Sequence, residues 1–168
     1  MKQLILIRHG DALRSTMTDI DRTLTLLGEK QVAISAQYLK SYNIEHILCS
    51  PTKRTKQTLK IIQDNNGLSD NIVEFCNGIY SNSVEVLLSL VKHISNDNKT
   101  ALIVGHNPSL LELAIMYDIE AENRWQNELS CGLKTAEVVV LEFADAEDWS
   151  NVVSGTGKIK DMFVPSWS

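Results

Sequence analysis

Six short runs rich in β-branched and aliphatic residues recur along the chain, and the stretches between them carry helical spacing. This alternation constrains the fold more than any other feature. The runs are residues 2–7, 46–49, 72–75, 100–104, 137–143 and 158–163. Strands separated by helical segments predict crossover connections, a largely parallel sheet and helices on both of its faces, which is an α/β sandwich. Near-continuous apolar content in the first, fourth and fifth runs predicts strands buried on both sides. A first helix is expected from Thr25, whose hydroxyl can cap it, to about Tyr42. A second follows Pro51 and directs Leu59, Ile61 and Ile62 inward. In the third, Val84, Leu87, Leu88, Val91 and Ile94 share one face, with Ser83 placed as its cap. The fourth starts at "NPSLLELA", with Asn107 as cap and Pro108 as the first helical residue.

No repeat, low-complexity tract or Pro/Gly/Ser-rich linker interrupts the pattern, and 168 residues suit one domain over 1–168. The apolar runs are too short to span a bilayer, and the start of the chain shows no secretory signal. A cytoplasmic protein without membrane partners is therefore expected. Cys49, Cys76 and Cys131 lack CxxC spacing and are expected as reduced thiols. A net charge of −5 argues against nucleic acid as a partner, so any anion site must be local.

Residues 10–25, "GDALRSTMTDIDRTLT", join the first strand to the first helix without any period. A loop of that length in a small domain points to function, which makes Asp19, Asp21 and Arg22 candidates. In open α/β sheets ligands bind beyond the carboxyl ends of the parallel strands. At those ends stand "RHG" with Arg8 and His9, "SPTKRTKQT" with Arg54, and "GHNP" with His106. Each alone reads as a polar loop, a helix start with Lys53, Lys56 and Lys60 on a wet face, or a turn. Together they bring two imidazoles and several guanidiniums to one edge. Guanidiniums match phosphate oxygens in pairs, and imidazole is nucleophilic near neutrality. A phosphoryl group held by Arg8, Arg54 and Arg22 is then open to in-line attack by one histidine, while the other stabilises the equatorial charge. No metal is needed, and a zinc site fits poorly because neighbouring arginines repel a cation.

"RHG", "SPxxRTxQT" and "GHNP", in that order, resemble the histidine phosphatase superfamily, which includes phosphoglycerate mutases and many phosphatases. "RHGDA" and "RTLTLLG" look most like its SixA-type phosphohistidine phosphatase branch. The resemblance implies a three-layer α/β/α sandwich with a mostly parallel sheet. It implies His9 as the nucleophile that is transiently phosphorylated, with Arg8, Arg54 and His106 forming the phosphate pocket. Arg22 becomes a further phosphate contact, and Asn107 positions the second histidine. The chain departs from the mutase-like branches at the proton donor, since the segment after the third strand offers only Glu74, within a strand, and Glu85, where a carboxylate complements a helix dipole. Asp19 aligns with an acidic position of the SixA-like pattern. General-acid help matters most when the leaving group is a strong base, and imidazole leaves far more easily than an alkoxide. The expected function is thus a cofactor-free, metal-independent phosphatase acting on protein phosphohistidine. A phosphomonoesterase or mutase for a small metabolite and a non-catalytic phosphate-binding module are the alternatives. Trp149 and Trp167, near the end of the chain, are expected in the core.

Overall fold

The computed structural model describes residues 1–14 and 18–166. All six expected strands are present: β1 Lys2–Arg8, β2 His46–Cys49, β3 Val73–Phe75, β4 Thr100–Gly105, β5 Val138–Phe143 and β6 Lys158–Phe163. They form one sheet in the order β3-β2-β4-β1-β5-β6. Pairings from β3 through β2 and β4 to β1 are parallel, whereas β5 runs antiparallel to both β1 and β6. The helices are α1 Leu26–Leu39, α2 Lys53–Asn66, α3 Asn77–Tyr80, α4 Val84–Lys92, α5 Ser109–Tyr117, α6 Ala121–Arg124 and α7 Gln126–Ser130.

Side-chain alternation along the central strands divides the interior into two layers. Leu4 and Leu6 of β1, with Ala101 and Ile103 of β4, pack under Leu87 and Val91 of α4 and Leu110, Leu113 and Tyr117 of α5. Ile5, Ile7, Leu102 and Val104 face the other way, onto Val32, Ala36 and Leu39 of α1 and Leu59 and Ile62 of α2. Leu4 to Ile7 are fully buried, each contributing roughly 1.5–3 kcal/mol of transfer free energy. The result is the expected three-layer α/β/α sandwich.

Several local expectations are met and others are corrected. Thr25 caps α1 by accepting from the Gly28 amide at 2.9 Å. The helix stops at Leu39 rather than near Tyr42, because the Lys40 and Tyr42 amides turn back to the carbonyls of Gln37 and Leu39 in a tightened last turn. Ser83 precedes α4, but its hydroxyl donates to Glu85 and caps no backbone amide. Asn107 does not cap α5. The Ser109 amide instead donates to Asn82 Oδ1 at 3.0 Å, and Pro108 stands just outside the helix. The short helices α3, α6 and α7 come in addition to the four that the sequence predicts. Trp149 is fully buried and its indole N–H donates to the Asn98 carbonyl, while Trp167 lies outside the described residues. The three cysteines are unpaired thiols. Among the described residues, no helix is long and apolar enough to cross a membrane.

One close approach shapes the ground beneath β1. A Cβ on Gly28 would stand 2.1 Å from the Asp11 carbonyl oxygen, and one on Gly10 would stand 2.8 Å from the Gly28 carbonyl oxygen. Two side-chain-free positions therefore let the N-terminus of α1 lie against the turn that follows His9.

Candidate active site

The parallel register of β1 and β4 sets Arg8 opposite Gly105, so the next residue on each strand is a histidine. His9 and His106, far apart in the chain, are thus brought together by one ladder. The His9 amide donates to the Gly105 carbonyl at 3.1 Å, and its carbonyl accepts from the Ala136 amide at 3.0 Å. Backbone on both sides thus clamps His9, and its ring meets that of His106 edge-on with centroids 5.5 Å apart. β2 ends at the neighbouring position, where Ser50 shares a 2.7 Å hydrogen bond with His106 Nε2. α2 begins two residues after Pro51, and its first turn carries the buried Arg54.

These residues border a cavity of about 470 Å³ lined by Arg8, His9, Asp19, Arg22, Arg54, Tyr80, Asn82, His106 and Asn107. It lies beyond the carboxyl ends of the parallel strands, where the sheet topology places ligands. Every one of the seven site residues expected from sequence lines it. Asp21 does not; its carboxylate accepts from the Thr18 hydroxyl. Glu74 sits beside His46 and Glu85 beside Ser83, both away from the cavity lining. Sequence reasoning missed Tyr80, Asn82 and Ser50. Tyr80 and Asn82 follow β3, the one parallel strand whose carboxyl end carries no histidine or arginine to mark it.

Electrostatics decide the state of each group. His9 is only 8% exposed, and burial lowers its pKa from 6.5 to about 4, aided by the charges of Arg54, Arg8 and Arg22. Its Nδ1 stands 2.7 Å from the Gly10 carbonyl oxygen, an acceptor only, so the neutral ring carries its proton on Nδ1 and leaves the Nε2 lone pair free. Burial likewise takes His106 to about 3, with His9, Arg54 and Arg8 contributing. Arg8 donates to the Leu133 carbonyl, and its Nε, like that of Arg54, is buried with no hydrogen-bond partner among the described residues. An unmet buried donor costs about 1–3 kcal/mol, and more when charged, so an anion accepting from these two groups would be favoured.

Asp19 meets the opposite of what a proton donor needs. Its Oδ2 accepts from the Tyr80 hydroxyl at 2.7 Å and from Arg54 at 3.1 Å, and its Oδ1 accepts from Arg22 at 3.1 Å. Tyr80 first, then Arg22 and Arg54, hold the carboxyl ionised with a pKa of about 2. Arg22 also donates to the Leu13 carbonyl, so the long loop is tied to the cavity through its own side chains. Among the described residues no cluster of three or more His, Cys, Asp or Glu side chains is arranged to hold a metal ion.

The two histidines predict a pH dependence. In the unfolded chain they titrate near 6.5, in the folded chain near 4 and 3, so between these values the unfolded state binds more protons. Their stabilising contribution is full above pH 6.5 and is lost progressively as pH falls through 4 and 3. Urea unfolding measured from pH 7 to 4.5 should show stability falling with acidification, with a shallower slope in His106→Gln. For a reaction in which His9 attacks, the acid limb of kcat/KM should lie near pH 4 rather than near 6.5.

The model of the histidine phosphatase superfamily (branch 1) matches residues 4–87, half of the chain, and the protein belongs to that superfamily. The sandwich and the paired histidines at its strand ends agree with this placement. Among curated relatives, a probable phosphoglycerate mutase, GpmB, from Yersinia enterocolitica is 43% identical over 72 residues, which is 40% of this chain and 34% of that protein. The matched stretch therefore spans about a third of the length of such relatives. Solved structures resemble the whole fold. A putative phosphohistidine phosphatase SixA from Agrobacterium tumefaciens superposes with a TM-score of 0.81 at 23% identity, covering 98% of both chains. A protein histidine phosphatase SixA complexed with tungstate superposes with a TM-score of 0.78 at 22% identity, covering 97% of both.

Proposed function

We propose that the chain is a phosphatase that removes the phosphoryl group from phosphohistidine on a protein, by way of a phosphorylated His9. One observation carries this reading: His9 is neutral, clamped by backbone, and has Nε2 free beside three arginines and a second imidazole. In the first step the Nε2 lone pair attacks phosphorus while the P–N bond to the substrate ring breaks; that ring, protonated from solvent on its other nitrogen, takes the electron pair and leaves as neutral imidazole. In the second, water attacks phosphorus, the P–Nε2 bond breaks, and inorganic phosphate leaves with His9 restored as a neutral ring. Arg8, Arg22 and Arg54 offset the charge on the equatorial oxygens, and His106, fixed by Ser50, adds a hydrogen-bond donor. Fixing the ring in place removes the orientational cost of in-line attack.

The leaving group separates this reading from its rival. The GpmB-type relatives favour a small phosphate ester as a second reading, and an ester releases an alkoxide that needs a general acid. Among the described residues, Asp19 is the only carboxylate lining the cavity, and three donors keep it ionised. Imidazole needs no such help, so phosphohistidine suits a site without a proton donor. Turnover of a phosphohistidine protein should exceed that of 3-phosphoglycerate and of a sugar phosphate by at least about a hundredfold in kcat/KM, the scale of a missing general acid. Acid-labile phosphate on His9 should appear on rapid quench. Preference for the esters would overturn the substrate assignment, and binding of phosphate without turnover or phosphoenzyme would favour a binding module.

A further inference from the structure

Asp19 brings together donors from three separate segments. Arg22 comes from the loop after β1, Arg54 from the first turn of α2 and Tyr80 from the end of α3. The Asp19 backbone carbonyl takes a further bond from Arg54 at 2.7 Å. Its side chain remains 48% exposed, so the carboxylate lies at the outer side of the cavity, while Arg54 behind it is buried. A phosphoryl group carries about two negative charges near neutral pH. Among the described residues three guanidiniums and one carboxylate line the cavity, both imidazoles are neutral, and the net positive charge matches a single phosphoryl dianion. Two other acids near Arg8 are engaged elsewhere. Asp11 accepts from the Thr25 hydroxyl and Glu137 from the Lys134 amide, and neither lines the cavity.

We propose that Asp19 is a specificity-determining residue, an internal carboxylate that occupies the outer arginine and tyrosine donors and so excludes phosphorylated substrates bearing a second acid group close to the phosphate. The proposal rests on the reading that the cavity receives a phosphoryl group. A substrate carboxylate entering beside Asp19 meets a like charge where it would otherwise find Arg22, Arg54 and Tyr80, and repulsion of that kind is how a site rejects a near relative of its substrate. A phosphorylated imidazole carries no second anion at that distance and passes freely.

Glycerol 3-phosphate and 3-phosphoglycerate share a phosphate ester on a three-carbon skeleton and differ in a carboxylate, which makes them the probes. Calorimetric Kd values for both, and for inorganic phosphate, are to be measured on the wild-type chain, Asp19→Asn and Asp19→Glu. The wild type should bind glycerol 3-phosphate at least as tightly as 3-phosphoglycerate. Asp19→Asn should move the ratio at least about tenfold toward 3-phosphoglycerate, the scale of one charged contact reversed. Asp19→Glu, which keeps the charge, should keep the wild-type preference. An unchanged ratio in Asp19→Asn, an equal weakening of all three anions, or a wild type that already prefers 3-phosphoglycerate overturns the proposal. Failure of the wild type to bind inorganic phosphate at all would instead overturn the phosphoryl-site reading, and this proposal with it.

Discussion

Replacing His9 with alanine should lower phosphate release from a phosphohistidine protein by at least about a thousandfold and leave no acid-labile phosphoenzyme. The expected loss is large because no other group can take over. His106 stands 5.5 Å away by ring centroid, lies edge-on, and has its Nε2 engaged by Ser50. Removing an imidazole leaves the three arginines in place, so His9→Ala should still bind inorganic phosphate, and that binding shows that the variant has folded. Turnover within tenfold of wild type would show that a different residue accepts the phosphoryl group. Rapid-quench labelling with a radioactive phosphohistidine donor measures both quantities at once.

Arg54→Ala should cost at least about a hundredfold in kcat/KM, comparable to the loss of one preorganised donor aimed at developing charge. Three consequences follow from the one truncation. In the proposed reaction the buried guanidinium no longer faces the phosphoryl oxygens, Asp19 loses two of its hydrogen bonds, and the long loop keeps, among the described residues, only its ties to α2 through Gln57 and Thr58. Lysine should restore little, since a point charge on a flexible stem cannot span a carbonyl and a carboxylate together. Free guanidinium ion added to Arg54→Ala should recover part of the rate while leaving Arg54→Lys unchanged. Because Arg54 is only 5% exposed, thermal melts of both variants separate lost chemistry from lost structure. A hundredfold loss in a variant that melts like the wild type places the defect in the site.

Much of the architecture was legible because the strands are both apolar and short. Runs such as "LILI" and "ALIV" are buried on two faces, and that burial is what their unbroken apolar character predicts. The charged residues at the strand ends were legible for a related reason: strand ends are the places where a buried run meets solvent; Arg8 closes β1, His9 and His106 follow β1 and β4 directly, and Arg54 stands in the first turn of the helix after β2. What escaped reading depends on contacts across the fold. Asn107 has the local chemistry of a cap, yet Asn82, with a backbone φ of 59° before α4, reaches the Ser109 amide first. Its Nδ2 then donates to the Asn107 carbonyl, and Asn107 borders the cavity. No spacing rule links residue 82 to residue 109. Tyr80 escaped for the same reason, since its importance lies in the carboxylate it meets sixty-one residues away. The helices α3, α6 and α7, of 4, 4 and 5 residues, are too short to display a period.

The pairing of Arg8 with Gly105 also ties chemistry to hydrogen-bonding parity. Sliding β4 past β1 by a single residue would turn every inward side chain of that strand to the opposite layer, so a miswired sheet forfeits its core and its imidazole pair together. Extra residues can accumulate in the connections of such a scaffold, but none can enter its two middle strands. The imidazole pair is thereby proofread by the same event that completes the interior, and a chain that has packed correctly has already aligned His9 with His106.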